Sequence, residues 1–203
     1  MSESSRERLQ LEISRAAVRL FRSRGIAATT GEQIAEAAGI SVRTLWRYFR
    51  TKEACAEPLL AMTVDAYVAA LRRWTGEVSL ADHLRRTYQL PPDVAVDDGL
   101  LVSDLVRMAV TDPGLRAVWL VVHDRAEPVL AAVLAQRFGL DPGALEIRVR
   151  AAAINAAQRL AHEEMAVSIG RPIALVPHRE RLARAVGSVF EGIVTSTVPK
   201  EPG

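Results

Sequence analysis

The stretch from Thr30 to Phe49, TGEQIAEAAGISVRTLWRYF, decides the fold of this chain. Apolar residues recur at helical spacing on both sides of Gly39. Each half begins with a hydroxyl side chain that can cap a helix, Thr30 in the first and Ser41 in the second. The pattern predicts two short helices, 31–38 and 42–49, joined by a tight turn. Two helices in this arrangement form a helix-turn-helix.

The two predicted helices each have an apolar and a polar face. One face can pack them against a preceding helix and consists of Ile34, Ala35, Ala38, Ile40, Leu45 and Phe49. The other face of the second helix carries two guanidinium groups, a hydroxyl and two amphipathic aromatic rings: Val42, Arg43, Thr44, Trp46, Arg47 and Tyr48. This face suits a DNA major groove, where arginine binds guanine through two hydrogen bonds. The alternative for each residue is an ordinary solvated side chain, or simple packing for Val42 and capping for Thr30.

Helical patterns continue on both sides of this motif, and we find no alternation of apolar and polar residues typical of strands. Predicted helices cover about 5–24, 51–74, 79–89, 99–110, 113–138, 142–168 and 178–197, with a loop at 93–99 and a linker at 170–177. Pro58 predicts either a kink in the fourth helix or a late start of it. The chain is therefore expected to be all-α, with an N-terminal three-helix domain over 1–52 and a larger helical domain over 53–203.

Charge is distributed unevenly along the chain. The 203 residues carry a net charge of +2, with 26 Lys and Arg against 24 Asp and Glu. Residues 1–52 hold ten basic and five acidic residues, which gives +5, and the remainder holds 16 basic and 19 acidic residues, which gives −3. A basic head on a mildly acidic body favours a polyanionic partner at the N-terminal end. The alternative is a solvated, arginine-rich helix face.

The sequence contains few features of an enzyme. Four histidines occur without metal-ligand spacing, and the single cysteine, Cys55, cannot build a thiolate metal site. The chain has neither a nucleophile elbow nor a phosphate-binding glycine loop. We therefore expect no enzymatic activity, no cofactor and no metal. The polar first residues do not resemble a signal peptide, and we found no apolar run near the length of a membrane span, so a cytoplasmic protein is expected.

Residues 16–54, AAVRLFRSRGIAATTGEQIAEAAGISVRTLWRYFRTKEA, closely resemble the DNA-binding domain of the TetR family. The resemblance covers about residues 9–56 and includes the AGIS turn at 38–41 and the YF pair at 48–49. It implies a homodimer that binds a palindromic operator in double-stranded DNA. By this resemblance the base-reading residues are Val42, Arg43, Thr44 and Arg47. The backbone contacts are Thr30, Trp46, Tyr48 and Lys52, and Ser41 caps a helix start whose free amides can bind phosphate.

One position departs from the family pattern. Trp46 stands where the family usually has a tyrosine that contacts the DNA backbone. Tryptophan keeps an N–H donor but has no phenolic hydroxyl, so the phosphate contact is in doubt at this position. Stacking on a sugar or on a thymine methyl group is the alternative role.

The last two predicted helices carry apolar stripes. The stripes include Leu145, Val149, Ala153, Ala156 and Leu160 in one helix, and Leu182, Val186, Val189, Phe190 and Ile193 in the other. Alanines on such a stripe let two helices approach closely. In TetR-family proteins the last two helices form the dimer interface, so the resemblance implies that these residues hold a homodimer. An intrachain core is the alternative.

The resemblance also implies an effector pocket between the fourth and seventh helices. Candidate lining residues are Met62, Tyr67, Trp74, Leu105, Met108, Trp119 and His123, although such residues are more often part of a core. The segment 108–165 weakly resembles actinobacterial regulators of the mycofactocin type, some of which respond to acyl-CoA. A small hydrophobic effector, acyl-bearing or not, and a ligand-released repressor are therefore expected. An activator, or a DNA-binding protein without an effector, is left open by the sequence.

Overall fold

The computed structural model describes residues 3–88, 96–169 and 175–195, and these residues contain helices and no β-strand. The all-α prediction is confirmed. In chain order the helices are α1 (Glu3–Arg24), α2 (Gly31–Ala37), α3 (Val42–Tyr48), a short 3-10 helix (Glu53–Ala56), α4 (Glu57–Arg72), α5 (Leu80–Thr87), α6 (Val96–Thr111), α7 (Pro113–Phe138), α8 (Leu145–Ile169) and α9 (Leu175–Thr195).

The chain divides into two compact units. The first unit comprises residues 1–63 and 92–122, and the second comprises 64–91 and 123–203. Both α4 and α7 therefore contribute residues to each unit. The first unit contains the helix-turn-helix together with α6. The proposed functional boundary at residue 52 remains a prediction, because it describes a division of roles and not of contacts.

The predicted caps of the helix-turn-helix are confirmed. Thr30 forms a capping box with Gln33, whose backbone N–H donates to Thr30 Oγ1 at 3.4 Å while the Gln33 side chain accepts from the Thr30 N–H at 3.0 Å. Ser41 Oγ accepts a hydrogen bond from the Thr44 N–H at 3.1 Å. The turn between them passes through Gly39 with φ +66°, a left-handed conformation that favours glycine.

The core of the first unit forms around α1, which packs against α2, the 3-10 helix and α6. Ile13, Ala17 and Phe21 of α1 are buried, as are Ile34 of α2 and Leu45 of α3. The apolar faces read from the sequence are therefore the faces that pack. Burial of such side chains contributes about 1.5–3 kcal/mol each to stability.

A buried ion pair connects α1 to α6 within this unit. Arg15 donates to both carboxylate oxygens of Asp98, at 2.8 Å from Nε and 2.6 Å from Nη2. The Asp98 side chain is only 2% exposed. The hydrogen bond to Asp98 raises the pKa of Arg15 above its ordinary value. A second, looser pair joins Arg22 to Asp104 at 3.5 Å. These pairs connect α6 to α1, and α1 packs in turn against α2 of the helix-turn-helix. Helix α6 is therefore part of the scaffold that supports the helix-turn-helix.

The fourth helix starts late, as one of the two readings of Pro58 predicted. Thr51 Oγ1 accepts from the Ala54 N–H at 3.1 Å and opens the 3-10 helix, after which α4 begins at Glu57. Pro58 lies in the first turn of α4, where its missing N–H has no helical partner to lose.

Three predicted helix starts were wrong by about one turn. α6 begins at Val96 rather than 99, so the predicted loop 93–99 is helical from Val96 onward, and 93–95 lie outside the described residues. α8 begins at Leu145 because Asp141 forms a turn, its Oδ1 accepting from the Gly143 N–H at 3.0 Å. α9 begins at Leu175 instead of His178, since Pro177 is tolerated in a first turn. Of the predicted linker, 170–174 lie outside the described residues.

In the second unit, α9 packs against α8 and α5. Ile147, Ile154 and Leu182 are buried in this core. Two polar side chains inside it pair with each other: His123 Nδ1 lies 2.7 Å from Asn155 Oδ1, and Asn155 Nδ2 donates to the His123 carbonyl oxygen at 2.9 Å. This pairing follows the general requirement that buried polar groups find hydrogen-bond partners.

One segment, Glu53–Arg72, is long and apolar enough to cross a membrane by length and composition, with a mean hydropathy of 1.4. This finding corrects the expectation that no such stretch exists. The most apolar stretch of this segment is 61% buried inside the structure, as is usual for a core helix of a folded protein.

Candidate nucleic-acid interface

The outer face of α3 is open to solvent. Arg43 and Arg47 are exposed, and Trp46 is 42% exposed, whereas Leu45 on the opposite face is fully buried. Val42, Thr44 and Tyr48 are half-buried around them. The two arginines and the indole are therefore accessible on one surface, where the sequence predicted a base-reading face.

The indole of Trp46 lies against the first residue of α2. Gly31 is buried, and a Cβ atom built there would lie 2.1 Å from Trp46 Cζ2. The absent side chain at Gly31 thus makes room for the ring. This contact was not predicted, because the two residues are 15 positions apart and no local pattern links them.

Tyr48 stacks with two guanidinium groups. The guanidinium carbon of Arg47 lies 5.1 Å from the centroid of the Tyr48 ring, and that of Arg6 lies 5.7 Å from it. Both distances are within the range of cation–π attraction. Arg6 is exposed, and it places a positive charge from α1 beside the exposed face of α3. Arg6 was not predicted to belong to this surface, although the basic character of residues 1–52 was a signal for it.

The hydroxyl groups at the helix starts serve the helices themselves. Ser41 Oγ lies 2.8 Å from Thr44 Oγ1 and also caps α3. Thr30 is exposed while its hydroxyl caps α2. The predicted DNA contacts of these three residues remain predictions.

Lys52 folds back onto the turn between α1 and α2. Its Nζ donates to the carbonyl oxygens of Ile26 at 2.7 Å and Thr29 at 2.9 Å, and it lies 3.5 Å from that of Ala27. These carbonyls occupy the three N–H donors of the ammonium group. In this conformation Lys52 holds the turn that precedes α2, and its role as a phosphate contact remains a prediction.

The sequence around this surface matches a known family. Residues 13–59 match the model of the bacterial regulatory proteins, tetR family. This N-terminal segment is therefore similar to the DNA-binding part of TetR-type regulators. A curated relative, the HTH-type transcriptional regulator TcmR of Streptomyces glaucescens, is 33% identical over 136 residues. That match covers 64% of this chain and spans 60% of the length of TcmR.

Solved structures share the fold over most of the chain. GusR of Salmonella enterica superposes with a TM-score of 0.54 at 18% identity, covering 90% of this chain and 95% of its own. A structure from Mesorhizobium loti assigned to the TetR family gives a TM-score of 0.56 at 20% identity, covering 97% of this chain and 98% of its own. The likeness in fold therefore extends to the C-terminal helices, although the family model matches only the N-terminal segment.

The predicted interface residues of α8 lie on its surface. Leu145 is 72% exposed, Val149 56% and Leu160 55%, with Ala153 and Ala156 half-buried between them. Val167 continues the same stripe and is 59% exposed. Val167 was not predicted as part of the stripe, although it follows Leu160 by two helical turns.

The predicted interface residues of α9 differ from one another. Leu182 and Val186 are fully buried in the core of the second unit, and their place in a dimer interface remains a prediction. They pack inward because α9 lies against α5 and α8. Val189 and Phe190 are half-buried. The side chain of Ile193 lies outside the described residues.

The predicted pocket residues are divided between the two units. Met62, Leu105, Met108 and Trp119 belong to the first unit, and Tyr67, Trp74 and His123 belong to the second. Leu105, Trp119 and Tyr67 are fully buried. Burial raises the pKa of the Tyr67 phenol, so this residue stays neutral. A pocket role for this set remains a prediction.

A cavity of about 410 Å³ lies in the second unit. Trp74 is the one predicted pocket residue that lines it, together with Arg137, Phe138 and Phe190. Among the described residues, no group of three or more His, Cys, Asp or Glu side chains could hold a metal ion. Cys55 is buried, and burial raises the pKa of its thiol to about 12, so almost no thiolate forms at neutral pH.

Proposed function

We propose that this protein is a transcriptional regulator that binds a specific sequence in double-stranded DNA. The observation that carries the proposal is the exposed face of α3, where Arg43, Trp46 and Arg47 stand on a helix held by two capped helix starts. The match of residues 13–59 to the model of the bacterial regulatory proteins, tetR family, supports the same conclusion. An exposed helix that carries two arginines suits the major groove.

Within this surface we assign two kinds of contact. Arg43 and Arg47, with Val42 and Thr44 beside them, would contact base edges, since bidentate arginine–guanine pairs carry sequence information. Trp46 and Tyr48 would contact the sugar–phosphate backbone at the edges of this face. Arg6 adds a charge next to Tyr48 and would increase attraction to phosphate.

We further propose that the protein acts as a homodimer on a palindromic operator. The support is the apolar stripe on α8, defined here as Leu145, Val149, Leu160 and Val167, each more than half exposed. An exposed apolar row of this kind marks an interaction surface. A two-fold dimer places the helix-turn-helix of each chain on one of two half-sites, as recognition of a palindromic operator requires.

Regulation by a small hydrophobic effector completes the proposal. A ligand that binds better to the conformation that does not bind DNA would release the operator, and DNA would weaken the ligand by the same factor. We propose a cytoplasmic, ligand-released repressor without enzymatic activity or cofactor.

The test is selection of genomic fragments by the purified protein, followed by titration of the enriched site at several salt concentrations. A palindromic site and a steep negative slope of log affinity against log salt are expected. Arg43→Ala and Arg47→Ala should each relax preference at one base pair per half-site, at a cost of about 1–3 kcal/mol.

Arg184→Ala is the matched control, because Arg184 is exposed on α9 in the second unit. It should leave both the sequence preference and the affinity unchanged. Equal affinity for random duplex, or a flat salt dependence, would contradict the proposed function.

A further inference from the structure

The cavity in the second unit has a wall of three aromatic rings. Phe190 of α9 lies in the middle, with its ring centroid 5.1 Å from that of Trp74 in an edge-to-face arrangement. On the other side it stacks with Phe138 of α7 at 5.9 Å, with 27° between the ring planes. Gly187, one turn before on α9, also lines the cavity. This surface is suited to an apolar body of aromatic or aliphatic character.

A guanidinium group lies at the edge of the aromatic wall. The guanidinium carbon of Arg137 stands 5.5 Å from the centroid of the Trp74 ring. Trp74 is held in place because its Nε1–H donates to the Val78 carbonyl oxygen at 2.9 Å. Gly76 leaves space for the arginine, since a Cβ atom there would lie 2.3 Å from both Arg137 Nε and Nη2. The guanidinium is thus positioned by a ring and by a missing side chain.

Arg137 has no acidic partner in the described part of the chain. Other arginines of the second unit pair with carboxylates, for example Arg85 with Asp82 at 2.7 Å and Arg159 with Glu163 at 2.9 Å. Glu77 also lines this cavity, and in the described part of the chain no ion pair joins it to Arg137. The N–H donors of Arg137 therefore remain available beside an apolar wall.

We infer that this cavity binds a small carboxylic acid with an apolar body. The apolar body packs against Phe138, Phe190 and Trp74, and the carboxylate accepts hydrogen bonds from Arg137. A planar guanidinium matches a carboxylate through two parallel hydrogen bonds. The volume of about 410 Å³ falls in the range of small-molecule sites. That this acid is the effector rests on the proposed function, whereas its binding to the free protein does not.

The experiment compares two probes of matched shape on the full-length protein without DNA. 6-Phenylhexanoate carries the carboxylate, and 6-phenylhexanamide is its neutral counterpart. Isothermal titration calorimetry should show binding of the acid at least about tenfold tighter than the amide, because hydrogen bonds between charged groups are stronger than neutral ones. Equal affinities, or no binding of either probe, would overturn the inference.

Three variants locate the site. Arg137→Gln should reduce the affinity for the acid to that for the amide and leave the amide unchanged. Val78→Phe, which adds a ring to the cavity wall, should weaken both probes about equally. Arg184→Gln is the control for loss of one exposed charge in the same unit and should change neither. Circular dichroism checks that each variant is folded.

Unchanged acid binding in both Arg137→Gln and Val78→Phe would place any binding elsewhere and overturn the assignment of this cavity. Operator titrations with the same probes are a separate measurement. Tight binding of the acid to the free protein without any effect on the operator would leave this site standing and contradict only its role in induction.

Discussion

At the scale of single residues, Lys52 has the clearest structural role. Its ammonium group donates hydrogen bonds to the carbonyl oxygens of Ile26 and Thr29 and so holds the turn between α1 and α2. Lys52→Ala should lower the free energy of unfolding by about 1.5–3 kcal/mol, the range for hydrogen bonds to a charged group. Urea denaturation measures this loss, and the salt slope of operator binding reports separately on a phosphate contact.

Arg50→Ala provides the comparison, because Arg50 is an exposed neighbour of Lys52. It should cost less than about 0.5 kcal/mol in stability, as most surface substitutions do. The opposite result for Lys52→Ala, unchanged stability with a salt slope reduced by about one unit, would identify it as a phosphate contact.

The contact between Gly31 and Trp46 leads to a second prediction at this scale. Gly31→Ala places a methyl group where the indole lies, and the exposed ring can swing away at little cost to the fold. The variant should therefore stay folded, with stability reduced by no more than about 1 kcal/mol, and lose operator affinity. Tryptophan fluorescence should shift to longer wavelength as the ring becomes more solvated.

Variants in which Trp46 is replaced are the control for that experiment. Trp46→Phe should remove the spectral response, while Trp46→Tyr should restore the aromatic hydroxyl usual in the family. Gly31→Ala binding the operator as tightly as the natural sequence would show that the position of the indole does not matter for recognition.

At the scale of elements, the connection between α1 and α6 depends on Arg15 and Asp98. Arg15→Leu leaves the buried Asp98 carboxylate without its guanidinium partner, and removing one member of a buried pair costs about 3–5 kcal/mol. Because Arg15 retains 18% side-chain exposure, the lower end of that range is expected. Thermal and urea unfolding measure the loss.

Arg22→Leu is the matched comparison, since it removes the pair with Asp104 at 3.5 Å from a side chain that is 58% exposed. It should cost less than about 1 kcal/mol. The double variant Arg15→Leu/Asp98→Leu should recover part of the stability lost by Arg15→Leu alone. Equal effects of Arg15→Leu and Arg22→Leu would mean that burial does not strengthen the first pair.

At the scale of the whole molecule, the stripe on α8 predicts the oligomeric state. Val149→Asp places a charge in the middle of the proposed interface, where burial without a partner is strongly unfavourable. Sedimentation should show monomers, and circular dichroism should show unchanged helical content. The monomer should bind the operator far more weakly, because a single helix-turn-helix contacts only one half-site.

Val110→Asp tests the specificity of that result. Val110 is a valine with 44% exposure on α6 of the first unit, so the substitution introduces the same charge at a similarly exposed site. It should leave the dimer intact. A dimer of Val149→Asp indistinguishable from that of the natural chain would move the interface away from α8.

The sequence by itself determined the features that depend on neighbouring residues. The caps at Thr30 and Ser41 and the turn at Gly39 follow from bonds between residues three to five positions apart. The burial of Leu45 follows from helical periodicity, which separates an inner from an outer face. For this reason the helix-turn-helix and its exposed reading face could be predicted without a structure.

Tertiary structure decided the features that join distant residues. An apolar stripe looks the same whether it meets its own chain or another one, so only the packing of α9 could distinguish the buried Leu182 from the exposed Leu145 of α8. The bonds of Lys52 to the turn 26–29 leave no local pattern, because they depend on where the chain returns after α3. The aromatic wall beside Arg137 likewise arises only when α7 and α9 meet the loop after α4, a placement set by the packing of the whole second unit.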